Sequence, residues 1–389
     1  MALRCREDRV RQLVVPIANA GEAALVDGLA VHGAATLGEL VRCLRAGPLP
    51  TVPPSRVVSA PTRAASDSDF ADVRGQTVAR RALEIAAAGG HNAILVGPPG
   101  SGKSMMARRL PSILPPLTAM EALEATRVHS VAGLLPPGSG LLANRPFRSP
   151  HHAISDAGLV GGGGIPRPGE ASLAHHGVLF LDELPEFRRT ALEALRQPLE
   201  DGTIHIGRAR VAVRLPARFM LVAAMNPCPC GHHGDGTGRC PCSPDRVRRY
   251  RGRVSGPLLD RIDLHVEVPR LGADTLTAKA AGEASAAIRD RVVEARERQL
   301  RRYRGTRALC NAQLDARLTR RHCRLDEPGA ALLETAIRRL GLSGRAYHRI
   351  LRLARTIADL DRTDALDPDH VAEAIQYRSL DRPLAAEVR

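Results

Sequence analysis

Eight residues, Gly97-Pro98-Pro99-Gly100-Ser101-Gly102-Lys103-Ser104, constrain this chain more than any other segment. They follow the apolar run Ala93-Ile94-Leu95-Val96, which reads as a buried parallel strand, and precede residues 105–110, which continue as a helix. Strand, glycine-rich loop and helix in that order aim backbone N–H groups at a triphosphate. Gly100 and Gly102 let the backbone approach phosphate without a Cβ in the way. In such a loop Lys103 reaches the β- and γ-phosphates of ATP, and the Ser104 hydroxyl ligates Mg²⁺.

A second motif supports the first. Val178-Leu179-Phe180-Leu181-Asp182-Glu183 places two carboxylates after four apolar residues. Ligands of open α/β sheets bind at the carboxyl ends of the strands. There Asp182 would hold Mg²⁺ through water and Glu183 would polarise the attacking water. A core strand ending in a solvated acidic turn would give the same run, but the complete phosphate loop upstream favours hydrolysis.

The chain has 389 residues, enough for two or three domains of about 150 residues each. Its net charge of +15 and pI near 10.5 invite a polyanion partner such as DNA. Only Lys103 and Lys279 are lysines; the other 54 cationic residues are Arg, a skew that suggests coding bias behind part of the charge. The same skew makes Lys103 informative, because a compact ammonium suits the phosphate loop and a planar guanidinium does not. No run of 18 apolar residues and no apolar signal core are present, so a cytoplasmic protein outside the membrane is expected.

Residues 1–47 carry short helix-spaced apolar runs, and a Pro/Ser/Thr-rich linker is expected over 48–69. An α/β nucleotide domain follows over 70–270, opening with a helix over 77–88 that stops at Gly89-Gly90. A helix is expected over 185–199. Alternating runs at 203–206 and 211–214 flank Gly207 and read as a β-hairpin with Arg208 and Arg210 at its tip. Residues 219–224 read as a buried strand ending at Asn226-Pro227. A helical domain is expected over 271–389: an Arg-rich helix over 275–303, one capped by Asp326, one by Ser343 and one opened by Asp367-Pro368. The fold class is thus α/β, a P-loop domain with a parallel sheet and hairpin insertions, then a helical lid.

The runs Arg145-Pro146-Phe147-Arg148-Ser149-Pro150-His151-His152, Pro168-Gly169-Glu170, Leu195-Arg196-Gln197-Pro198-Leu199-Glu200 and residues 225–231 resemble the ComM family, also called YifB, of magnesium-chelatase-like AAA+ ATPases. The resemblance runs from about residue 12 to residue 380. It implies a hexameric homo-oligomer, a DNA branch-migration helicase acting in recombination and natural transformation. The alternatives are the motor subunit of a metal chelatase and a MoxR-like protein-remodelling ATPase. Asn226 resembles the sensor-1 residue that orients the attacking water. Arg261, in Leu258-Leu259-Asp260-Arg261-Ile262-Asp263, resembles the arginine finger that enters a neighbour's site. Arg345 resembles the sensor-2 residue that touches the γ-phosphate from the lid, with Arg349 as the alternative. The stretch 72–76 resembles the box that packs on adenine. Residues 203–214 and 113–170 resemble insertions that project into a central pore, where Arg208 and Arg210 would meet branched or single-stranded DNA. Family members begin with a Lon-protease-like domain, of which residues 1–47 resemble a remnant with no placeable Ser–Lys dyad.

Cys228, Cys230, Cys240 and Cys242 form a CxC-x9-CxC cluster. In a reducing compartment such a cluster points to structural Zn²⁺ rather than disulfides. His232 and His233 could substitute as ligands, and free thiols remain the plain alternative.

Overall fold

The computed structural model describes residues 1–47, 49–52, 68–136, 140–164, 166–208, 211–272, 282–378 and 380. Most of the expected linker, Arg210, the Arg208 side chain, Lys279 and the start of the helix expected from residue 275 lie outside that description. The described residues within 1–63 and 116–145 form one compact unit, and those within 64–115 and 146–389 form another.

In the first unit β1 (Gln12–Pro16) and β2 (Ala30–Ala34) pair in parallel, with Gln12 opposite Ala30. The helix Ile17–Ala23 follows β1, and the buried core is small: Ala20, Ala24 and Val31. The helix Leu37–Ala46 is capped by Thr36, whose side chain accepts from the Glu39 N–H. The helix Ala119–Val131 opens on a capping box between Thr118 and Glu121, and Arg145 grips the Glu121 carboxylate through both terminal nitrogens at 3.1 Å.

The second unit is built on β3 (Ala93–Val96), β4 (Phe147–Arg148), β5 (Gly161–Gly162), β6 (Arg167–Pro168), β7 (Val178–Leu181), β8 (Thr203–Arg208), β9 (Val211–Pro216), β10 (Met220–Met225) and β11 (Leu264–Glu267). Five of these make one parallel sheet in the order β11-β3-β10-β7-β4. Every residue of β3, β7 and β10 is buried, as expected of parallel strands covered on both faces. Alternation along each strand divides them between two cores. Leu95, Phe180, Val222 and Val266 pack with helices Thr77–Gly89, Ser285–Arg302 and Gly344–Leu360. Ile94, Leu179, Leu181 and Ala223 face Leu192, Leu195, Ile204 and Leu258. Each such enclosed side chain contributes about 1.5–3 kcal/mol, which makes this sheet the stable platform of the unit.

The hairpin β8–β9 pairs antiparallel from Thr203↔Pro216 to Arg208↔Val211, as the alternation indicates. The single helix expected over 185–199 is instead a 3-10 turn, Leu184–Glu186, and two helices, Arg189–Ala194 and Arg196–Asp201. The break comes at Leu195, which is fully buried and serves as C-cap of one helix and N-cap of the next. In the helical region Asp326 accepts from the Gly329 N–H and Ser343 from the Ala346 N–H, so both expected caps form. Among the described residues no helix is long and apolar enough to cross a membrane.

Candidate nucleotide site

Three neighbouring strands end at one edge of the sheet. β3 delivers Gly97 and the phosphate loop, β10 delivers Asn226 and β7 delivers Asp182 and Glu183, with Met225 in register with Val96 and Ala223 with Leu181. The edge is polar because each apolar strand stops there. Gly97 has no room for a side chain: a Cβ would lie 2.1 Å from the carbonyl oxygen of Val268. Gly100 and Gly102 have φ of +77° and +93°, so the loop's turns require them.

Lys103 is folded into this loop. Its ammonium donates to the carbonyls of Gly97 at 2.7 Å and Pro98 at 2.8 Å, and to Asn226 Oδ1 at 3.3 Å. Burial draws its pKa below the ordinary lysine value, against the pull of Asp182. The Ser104 hydroxyl donates to Asp182 Oδ2 at 2.6 Å, and the Glu183 N–H donates to Asp182 Oδ1 at 3.0 Å. Five of the predicted residues, Lys103, Ser104, Asp182, Glu183 and Asn226, therefore meet here. Ser104 and Asp182 present paired hard oxygens suited to Mg²⁺. The buried Ser101 hydroxyl has no hydrogen-bond partner among the described residues, which fits a loop made to receive a polar ligand.

Glu183 carries backbone strain at this edge. Its φ is +53°, a left-handed conformation uncommon for a non-glycine residue. Its Oε2 lies 3.2 Å from His152 Nδ1. The sequence reading gave His152 no role; the contact arises because β4 pairs beside β7 and sets the residues after it next to Glu183. Gln76, in the stretch expected near adenine, donates from Nε2 to Ser101 O at 3.2 Å and Pro269 O at 2.7 Å, so it ties the phosphate loop to the segment after β11.

The arginines lie elsewhere. Asp263 N–H and Leu264 N–H both donate to the carbonyl of Asn92, and the Asn92 amide donates to the Arg261 carbonyl at 2.9 Å. Asn92 immediately precedes β3 and Gly97 immediately follows it, so the Arg261 segment sits roughly 16 Å along the strand from the loop, at about 3.3 Å per residue. Arg261 is buried. Its guanidinium pairs with Glu200 and donates to Pro257 O at 2.6 Å. The hydrogen bond from Arg261 holds the Glu200 carboxyl below the usual range, and the charges of Arg345 and Arg196 act in the same sense. Arg345 is exposed, one turn before Arg349 on the helix Gly344–Leu360, and its charge acts on Glu200. Arg349 is committed to structure: it donates to Asp263 Oδ1 at 2.5 Å, while His91 Nδ1 lies 3.3 Å from Asp263 Oδ2. Burial alone would raise the Asp263 carboxyl; Arg349 and His91 overcome that and hold it well below the carboxylate range.

The four clustered thiols come together. Cys228 Sγ lies 3.3 Å from Cys230 and 3.7 Å from Cys240, with Cys230 and Cys240 3.6 Å apart. All four sulfurs, including Cys242, fall within 4.8 Å of one another. The edge of a tetrahedral ZnS₄ site is about 3.8 Å for Zn–S near 2.3 Å, so the spacing suits the metal. His232 is engaged with Asp235 at 3.0 Å, and the sulfur group forms without either histidine.

Comparison with known proteins agrees with this geometry. The family of magnesium chelatase, subunit ChlI, matches residues 69–276, and its C-terminal counterpart matches residues 282–378. YifB of Salmonella typhimurium is 45% identical over 375 residues, covering 96% of this chain and 72% of its own. The competence protein ComM of Haemophilus influenzae is 45% identical over 395 residues, covering 98% and 74%. The magnesium-chelatase 38 kDa subunit of Rhodobacter capsulatus is 26% identical over 329 residues, covering 78% and 84%.

Proposed function

Because the chain belongs to the magnesium chelatase subunit ChlI family of AAA+ ATPases, in the branch that holds ComM and YifB, we propose that it is an ATP-driven ring motor acting on branched DNA. The observation that carries the ring is the separation of two edges. Lys103, Ser104, Asp182 and Asn226 converge at one, while Arg261 is fixed at the opposite end of the same strand. A guanidinium there cannot serve its own chain's phosphates. It can serve a neighbour's in a head-to-tail ring, a hexamer in this reading.

At the phosphate edge, Lys103 exchanges the carbonyls of Gly97 and Pro98 for β- and γ-phosphate oxygens. Ser104 and Asp182 would hold Mg²⁺, which would supply charge neutralisation at those oxygens. Asn226 orients the attacking water, and Glu183 takes its proton once released from His152. Arg261 leaves Glu200 and, with Arg345, reaches the neighbour's γ-phosphate, where charge develops in the transition state. Cys228, Cys230, Cys240 and Cys242 would hold Zn²⁺ in a structural role, as four thiolate ligands.

The DNA part rests on the +15 charge and on the β8–β9 hairpin, whose sequence puts Arg208 and Arg210 at its turn. Contacts from such a hairpin to phosphates position without reading sequence. The test is the ATPase rate at low salt with no DNA, linear duplex and a branched junction. The motor reading expects both DNAs to raise the rate, the junction more. Replacing Arg208 and Arg210 by Ala should lower the salt slope of binding by about 1–2 units, near 0.9 per lost phosphate contact. If neither DNA changes the rate, a chelatase-type or protein-remodelling substrate takes its place, as the likeness to the magnesium-chelatase 38 kDa subunit would suggest.

A further inference from the structure

The thiol cluster lies against the phosphate loop. Gly231, the residue after Cys230, has φ of +86°, and a Cβ placed there would fall 2.5 Å from Pro99 Cδ and 2.7 Å from Pro99 Cγ. The cysteine loop and the phosphate loop are thus in backbone-to-ring contact, closer than any side chain at 231 would allow. Pro99 directly follows Pro98, whose carbonyl receives the Lys103 ammonium. The loop is anchored at both ends. Cys228 is fully buried two residues after Asn226, which itself accepts from Lys103. Cys242 leads into Ser243, which caps the helix Pro244–Arg251, and Arg251 of that helix donates back to Pro227 O at 3.1 Å.

We infer that the metal-loaded four-cysteine loop is a brace that sets the position of the phosphate loop, so that metal occupancy at Cys228, Cys230, Cys240 and Cys242 and ATP affinity at Lys103 are thermodynamically coupled. With Zn²⁺ in place the turn at Cys228–Gly231, closed by the Gly231 N–H to Cys228 O bond of 3.0 Å, is held against Pro99. Without the metal the four sulfurs lose their common centre, Gly231 is released, and the loop that places the Gly97 and Pro98 carbonyls loses its support. Coupling between two sites is reciprocal: whatever factor zinc adds to ATP affinity, ATP must add to zinc affinity. This inference rests on the ATP-site and zinc readings given above.

The test measures both directions on the full chain. Zinc is quantified in protein purified without added metal. Affinity for a non-hydrolysable ATP analogue with Mg²⁺ is then measured before and after zinc is extracted with a thiol-directed mercurial, and again after the mercurial is reversed and zinc restored. The account expects about tenfold weaker nucleotide binding in the zinc-free protein, recovered on reloading, within the usual range of such couplings. It also expects a zinc-selective chelator to strip the metal less readily, by the same factor, when the analogue is saturating. Circular dichroism of the extracted protein and the variant Gly231→Ala guard against mere unfolding. Gly231→Ala should retain zinc and fold but bind the analogue more weakly, because its methyl displaces Pro99. Equal ATP affinity with and without zinc, or zinc retention indifferent to the analogue, overturns the brace. A chain that carries no zinc and binds ATP tightly overturns it as well. A zinc-loaded chain that binds no ATP instead overturns the ATP-site reading, so the two failures are distinguishable.

Discussion

The two ends of β3 are built differently. At its C-terminal end, polar groups converge and are only partly satisfied: Lys103 leans on loop carbonyls, Ser101 has an unpaired hydroxyl among the described residues, and Glu183 is exposed in a strained conformation. At its N-terminal end charge is consumed inside the chain. Asp263 is shared by Arg349 and His91, and Arg261 is closed onto Glu200. The first end is ready to receive a ligand. At the second, Arg261 is paired with Glu200, and Glu200 and Arg345 are exposed. Under the proposed ring, each subunit would offer phosphate binding at one end of the sheet and transition-state charge at the other.

Substitutions at the two ends should separate them. Arg261→Ala is expected to cut kcat by about 10³-fold or more, the usual worth of an arginine finger, with nucleotide affinity nearly unchanged. Retained turnover in steady-state assays would mean that the Arg261–Glu200 pair is purely structural. Glu183→Gln should bind ATP but turn over at least ~100-fold slower, from the typical worth of a positioned base. Normal hydrolysis by that variant would remove Glu183 from the role. Arg345→Ala should cost about tenfold in kcat, one charge-assisted hydrogen bond of about 1.5 kcal/mol. A loss of turnover in Arg349→Ala with stability unchanged, and Arg345→Ala silent in catalysis, would reverse the assignment along that helix.

Acid should weaken the N-terminal side of the sheet. His265, in β11, is held neutral: burial, then Arg378, push its pKa down to about 3. His91 is also lowered, by burial against the pull of Asp263. The unfolded chain binds protons at both near pH 6.5 while the folded chain does not. Stability is therefore full above about 6.5 and falls as pH drops towards the folded values, by about 1 kcal/mol per pH unit per histidine. Asp263, with its depressed pKa, adds a loss of the same sign only below about pH 4. Denaturant midpoints at pH 7 and pH 5 read this directly, and His265→Asn should flatten the difference.

The phosphate end was legible because its residues lie in short contiguous motifs whose spacing is itself the geometry, as in Gly97 to Ser104 and Asp182-Glu183. Helix caps such as Asp326 and Ser343 were legible for the same local reason. What escaped depends on strand order. That His152 meets Glu183 follows from β4 pairing with β7, and that Arg261 meets Glu200 joins residues 61 positions apart. The contact of Gly231 with Pro99 spans two strand-ending loops, and no periodicity announces it. The helix expected over 185–199 broke because packing of Leu195 against the sheet outweighed a continuous apolar face.

The central claim, a site completed by a neighbour's arginine, is tested most directly by mixing subunits. Arg261→Ala and Glu183→Gln proteins, each nearly inactive alone, are combined and the ATPase rate is followed against their ratio. The account predicts activity well above the sum of the two, greatest near equal mixing, because some interfaces then join an intact Glu183 to an intact Arg261. A mixture no more active than the sum of its parts at every ratio, with mixed rings shown to form, would contradict it.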